Sequence, residues 1–194
     1  MRKILSVILM TLIGSHVCHA SADSVRTAVK LNAAVVVGIV NPAFEVKVHN
    51  NFTVGLEGLG VFYPKGFAGI VDGPVVLAMT FLESRYYPKE SFKGFFVGPN
   101  IGFSVWDLSK GVHPAYWGSY ANAYQVGTNM MVGATIGYAF SLTRHWSIEL
   151  SVGGGCQIGF YEGHYKSDGS MYIGWNGSTE WLPYKAALNI VYRW

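Results

Sequence analysis

The chain has 194 residues, of which 51% are hydrophobic and only 13% charged, with a net charge of +3. Typical soluble domains carry about 25% charged residues, and no run of roughly 18 apolar residues marks a membrane helix. The composition therefore excludes a basic nucleic-acid-binding field and a helical membrane protein, and it favours apolar residues dispersed at a period of two.

The N-terminus reads as an export signal. Arg2 and Lys3 precede a mostly apolar stretch, Ile4 to Ile13, that is too short to span a bilayer as a helix. Ala20-Ser21-Ala22 supplies small residues at cleavage spacing. The expected division is a signal peptide over 1–22 and one domain over 23–194, with a cut after Ala20 as the alternative. Cys18 raises the question of lipidation, but Ser15-His16-Val17 is a poor lipidation box. Loss of Arg2 and Lys3 lowers the net charge from +3 to +1. Cys156 then stands alone, without a disulfide partner or a cysteine metal site. No cofactor and no metal is expected.

Strands follow in order. The first lies within Val29 to Val40, with Lys30 and Asn32 inward; its end is obscured because Ala33 to Val40 is continuously apolar. Pro42 to His49 alternates Phe44, Val46 and Val48 with Glu45, Lys47 and His49. Phe52 to Tyr63 puts Phe52, Val54, Leu56 and Phe62 opposite Thr53 and Glu57. Val75 to Tyr87 sets Glu83 and Arg85 against Leu82 and Tyr86. Phe95 to Asp107 turns Phe95, Val97, Ile101, Phe103 and Val105 outward and Asn100, Gly102 and Ser104 inward. Tyr124 to Phe140 and Trp146 to Tyr161 repeat the alternation, with glycines on the inner face. Those glycines would be costly in a helix and suit a narrow interior.

Leu182 to Trp194 completes eight strands. Ala186, Leu188, Ile190, Tyr192 and Trp194 share one face, and the chain stops on an aromatic. Tyr63, Tyr86, Tyr87, Trp146, Tyr184 and Trp194 read as girdle residues. Short turns at His49-Asn50-Asn51, Pro88 to Gly94 and Ser141 to His145 alternate with longer connections at Pro64 to Gly73, Leu108 to Ala123 and Gly163 to Thr179. This is the two-ended asymmetry of outer-membrane barrels. The first outer connection, near Val40 to Pro42, would be unusually short.

These patterns resemble a family of small outer-membrane β-barrels of unknown function from Gram-negative bacteria, of the eight-stranded OmpA/OmpX-like kind. The resemblance rests on Lys30-Leu31-Asn32, Asn41-Pro42-Ala43-Phe44-Glu45-Val46, Glu83-Ser84-Arg85-Tyr86-Tyr87, and the hairpin from Gly137-Tyr138 through Arg144-His145-Trp146-Ser147-Ile148-Glu149. It implies an all-β fold, an eight-stranded antiparallel up-and-down transmembrane β-barrel in the outer membrane. It also implies that the final strand, through Tyr192 and Trp194, is read by the barrel-assembly machinery. Family members often carry cysteines in the last long loop; Gly163 to Thr179 has none.

Glu45, Lys47, Glu57, Glu83, Arg85, Glu149, Lys185 and Arg193 fall on the inner face, with Lys30 near the start. Such near balance suits a lumen filled by ion pairs rather than a selectivity ring, because eight strands leave room only for side chains. His145, Ser147 and Glu149 invite a lipid A deacylase reading, but His145 lies in a turn at the wrong end. Asp107, His113, His164, Ser167 and Asp168 near the long loops have no spacing that marks an acyltransferase. Tyr116, Trp117, Tyr165 and Trp175 in those loops are candidates for gripping a glycan or protein. The expected role is structural or recognitional and non-enzymatic, without an open pore. Outer-membrane lipid and lipopolysaccharide are the expected partners, and no nucleic acid. The alternatives are a lipid A-modifying enzyme and a secreted lipocalin-like carrier with its apolar face inward.

Overall fold

The computed structural model describes residues 25–67, 71–109 and 122–194. The expected signal segment, His113, Tyr116 and Trp117 lie outside these residues. Ten strands occur in them: β1 (Thr27–Asn32), β2 (Pro42–His49), β3 (Phe52–Tyr63), β4 (Gly66–Phe67), β5 (Val71–Asp72), β6 (Val75–Tyr86), β7 (Gly94–Ser109), β8 (Ala123–Ser141), β9 (Trp146–Tyr165) and β10 (Met171–Arg193). Eight pair antiparallel with their neighbours, and β10 closes the ring on β1 through pairs such as Val29 with Tyr192 and Leu31 with Ile190. β4 and β5 form a separate small hairpin in the β3–β6 connection.

The register sets the dimensions. Ladder partners lead from Tyr192 through Val29, Phe44, Leu56, Leu82, Ile101, Val132 and Cys156 back to β10, but at Trp181. The register shift between Pro183 and Lys185 falls inside that slip and leaves Tyr184 as the extra residue of a bulge. A shear of about ten on eight strands tilts them by roughly 40°, as closed barrels require. At about 3.3 Å per residue, Tyr192 and Trp181 then stand roughly 27 Å apart along the axis.

Alternation is borne out along each wall strand. Leu150, Val152, Leu188, Ile190, Ile101 and Val132 are exposed, whereas Glu149, Ser151, Asn189, Asn100 and Thr135 are buried. All three short connections lie at one end with Thr27 and Arg193, here called the lower end. The other connections lie at the upper end.

Four expectations need correction. Ala33–Val37 is a 3-10 turn, not strand, because the Asn32 side chain accepts from the Ala34 N–H (2.9 Å) and Gly38 ends the turn at φ +78°. The first upper connection is therefore Ala33 to Asn41, not a tight turn. The segment Gly163 to Thr179 is largely strand: β9 and β10 run on to a turn at Lys166 to Ser170. There Asp168 accepts from the Ser170 N–H (3.1 Å) and hydroxyl (2.8 Å), and Gly169 takes φ +72°. Tyr184 is not a girdle residue, since the bulge turns it inward to donate to Asn100 Oδ1 (2.7 Å) and stack on Phe81. Tyr87 is also internal and fully buried, because it shares the parity of Glu83 and Arg85.

The wall is uneven in height. β1 has 6 residues and β10 has 23. β10 pairs with β1 only over 189–193, so residues 171–188 have β9 as their one ladder partner. β3 pairs with β2 only up to Glu57; residues 58–63 pair with β6. Pro183 sits in the stretch of β10 that pairs on one side only, with Gly154 of β9, where a sheet edge tolerates a residue without an N–H donor.

Candidate functional site

The lower half of the lumen holds a continuous ionic network. Lys30 Nζ reaches Glu149 (2.5 Å) and also pairs with Glu45. Arg85 Nη1 contacts Glu149 (2.8 Å) and Glu45 (3.2 Å), and its Nε pairs with Glu83. Lys185 Nζ bridges Glu83 (2.5 Å) and Glu57 (2.6 Å). Every member is buried. Neutral groups take up the remaining lone pairs. Thr53 and Tyr87 donate to Glu45, Asn189 to Glu149, Asn41 to Glu57 and Thr135 to Glu83. Asn100 extends the chain by donating to Thr135 (2.8 Å). Buried charges persist when paired and hydrogen-bonded in this way. The void among Lys30, Glu45, Glu57, Glu83 and Arg85 is only about 10 Å³, room for one water at most.

Of the residues expected in this network, Glu45, Glu57, Glu83, Arg85, Glu149 and Lys185 are joined, with Lys30 a full member. Lys47 and Arg193 are not. Beneath the network lies an aromatic layer in which Tyr87 packs on Phe96 and Phe92 at 5.3 and 6.3 Å, and the Arg85 guanidinium sits 4.3 Å from the Phe96 ring centre. Arg193 lies on the other side of that layer. It donates to the carbonyls of Phe92 (2.9 Å) and Thr143 (2.8 Å) and ties two lower connections together. Lys47 is half-buried beside Glu90, Lys93 and Arg144 in a polar recess at the lower end. The network thus holds four carboxylates and three cations.

Above the plug the lumen opens into an apolar cavity of about 1020 Å³. Its lining includes Val61 of β3, Leu77 of β6, Trp106 of β7, Gly127 of β8, Glu162 of β9 and Trp175 of β10. A single cavity touching six successive strands of a closed ring lies inside the ring. Gly38 and Val40, from the connection between β1 and β2, complete the lining where β1 and β2 have ended. Trp106 Nε1 and Asp107 Oδ1, both from lining residues, are buried without a hydrogen-bond partner among the described residues. Sequence reasoning missed this cavity. Its one legible signal was the apolar run Ala33 to Val40, too long for the short strand it followed.

The two described loop aromatics, Tyr165 and Trp175, pack in separate places. Tyr165 packs on Tyr172 (5.2 Å), Trp175 stacks on Phe160 (5.8 Å), and only Trp175 of the two lines the cavity. Tyr192 packs against Trp146 (4.9 Å) and Trp194 (5.8 Å), and the Trp194 carbonyl accepts from the N–H groups of Arg26 and Thr27. The hydrolase constellation is not assembled: His145 Nδ1 bonds the Arg193 carbonyl (2.9 Å), while Glu149 is held by Lys30 and Arg85. His164 lies 3.7 Å from Glu162 and near Asp107, whereas Ser167 pairs with Asp168.

A family model described as protein of unknown function (DUF3575) matches residues 6–194. The chain belongs to this family. No curated protein and no solved structure matches it. The expected family of unknown function and its eight antiparallel strands therefore stand, and the family carries no activity to transfer.

Proposed function

We propose that the protein is an integral outer-membrane β-barrel that does not conduct and is not an enzyme, serving the envelope as a structural or recognition element. The observation that carries this reading is the division of faces. The exterior between the levels of Tyr192 and Trp181 is apolar, with Leu31, Phe44, Leu56, Leu82, Ile101, Val132, Leu150 and Leu188 exposed, while the ions are shut inside. That span of roughly 27 Å fits the apolar band of about 25 Å in outer-membrane barrels. Phe52, Tyr86, Phe95, Trp146, Tyr192 and Trp194 are exposed near its lower edge, and Trp181, 80% exposed, marks the upper. In water such a surface would far exceed the few hundred Å² of exposed apolar patch that soluble monomers carry.

A carrier of the lipocalin kind would put its charges outside; Glu57, Arg85 and Glu149 are buried in the lumen. The filled ionic layer supports a non-conducting barrel. The unjoined His145, Ser147 and Glu149 favour a non-enzymatic role over lipid A modification, which mass spectrometry of lipid A with and without the gene would reveal. The expected surroundings are outer-membrane lipid and lipopolysaccharide, and the terminal strand with Tyr192 and Trp194 would engage the barrel-assembly machinery during insertion. Extraction tests the reading. The protein should stay with membranes through salt and carbonate washes and leave only with detergent; release by carbonate would refute it.

A further inference from the structure

The upper wall has a notch. Above Asn32 and Pro42 the ring loses two strands, leaving residues 58–63 of β3 and 171–188 of β10 as facing edges with no common neighbour. The connection Ala33 to Asn41 fills the space between them. It is fastened to β3, where Val40 and Gly60 exchange both backbone hydrogen bonds (2.9 and 2.7 Å) and the Tyr63 hydroxyl donates to the Val37 carbonyl. Against β10 it makes contact without a ladder. None of Ala33–Val37 is buried, and Val36 is 86% exposed. Behind this cover lies the apolar cavity, which the cover itself lines through Gly38 and Val40.

We propose that the notch is a lateral portal through which the hydrocarbon chain of a membrane lipid enters the upper lumen, passing between the cover and β10. The inference rests on the membrane reading above. Three observations select this occupant. The notch opens between Asn32 and Trp181, within the upper part of the apolar exterior, so what faces it there is hydrocarbon. The cavity volume sits at the upper end of the roughly 300–1,000 Å³ that small-molecule sites span, and Val61, Leu77 and Val40 offer it apolar walls. The plug below stops passage, so the chain is held and not transported. Trp106 Nε1, without a partner among the described residues, leaves one donor at the wall for a polar group on the occupant.

The test uses the folded full-length mature chain in vesicles of phosphatidylethanolamine and phosphatidylglycerol doped with a phospholipid bearing a diazirine on one acyl chain. Photolysis and peptide mapping read where the chain lies. Adducts at Leu150 and Ile190 report the outer wall; adducts at Val61, Leu77 or Trp106 report the cavity. A second protein carries Val40→Cys and Gly60→Cys in a Cys156→Ser background, fixing the cover to β3 by a disulfide while leaving its side toward β10 free. A Cβ at Gly60 meets nothing nearer than 4.0 Å, so the site accepts the change. The expected result is labelling of both wall and cavity in the reduced protein, with both sets of adducts persisting on oxidation, because the disulfide leaves the side of the cover toward β10 open. Wall adducts without cavity adducts overturn the portal and spare the membrane reading. Absence of both overturns the membrane reading as well. Cavity adducts falling tenfold or more on oxidation would place entry between the cover and β3 and overturn the route past β10.

Discussion

Arg85 is the residue on which the interior depends most. It contacts three of the four network carboxylates, Glu45, Glu83 and Glu149, and lies over Phe96. Arg85→Ala would leave those carboxylates to Lys30 and Lys185 alone, in a space with room for about one water. Removing one partner of a buried ion pair costs about 3–5 kcal/mol, and loss of the cation–π contact adds roughly 0.5–2 kcal/mol. The expected loss is therefore about 3.5–7 kcal/mol, read as a shift in the urea midpoint of unfolding in detergent micelles or vesicles. Glu149→Gln added to Arg85→Ala restores the balance of one more acid than base and should recover about 1–3 kcal/mol. A loss below about 1 kcal/mol for Arg85→Ala, or no recovery in the double variant, would refute the view that these charges act as one network.

Tyr184→Phe should cost about 0.5–1.5 kcal/mol by removing the hydroxyl that donates to Asn100, measured in the same urea titration. Leu188→Arg, on the exposed face of β10, should destabilise by about 2–4 kcal/mol in vesicles if that face meets the bilayer centre. Gly38→Ala should lower stability by about 1 kcal/mol or more, because φ is +78° and the added Cβ would collide with the Tyr63 hydroxyl. Trp194→Ala should slow folding into vesicles by assembly machinery more than it lowers the urea midpoint of protein already folded, as expected if the terminal residue acts in recognition.

Period-two alternation made most of the wall legible, because each strand there separates apolar from polar neighbours. Trp146 to Tyr161 is the clearest case, with Ile148, Leu150 and Val152 on one face and Ser147, Glu149 and Ser151 on the other. The signal failed where that contrast fades. From Gly163 to Thr179, glycines, serines and tyrosines fall on both faces, so strand read as loop. In Ala33 to Val40 every residue is apolar or glycine, and the helical turn came from one Asn32 cap that periodicity does not register. The bulge at Tyr184 shifts parity by one residue, and no local composition marks it. Tyr87 is a different kind of miss, since its parity was readable from Arg85 two positions earlier. The ionic cluster was legible from charge on the inner face, but alternation gives direction and not height. Lys47 and Arg193 therefore looked like members although an aromatic layer separates the network from Arg193, and Lys47 lies with it at the lower end. The apolar cavity depends on the unequal lengths of strands remote in sequence, which no single segment contains.

The most direct test of sidedness is collision accessibility of nitroxide labels in vesicles, introduced one at a time at Leu150, Ile190 and Ser147 in a Cys156→Ser background. Leu150 and Ile190 should collide often with oxygen and rarely with a water-soluble nickel chelate, and Ser147 rarely with either. Frequent nickel collisions at Leu150 and Ile190 would contradict the account.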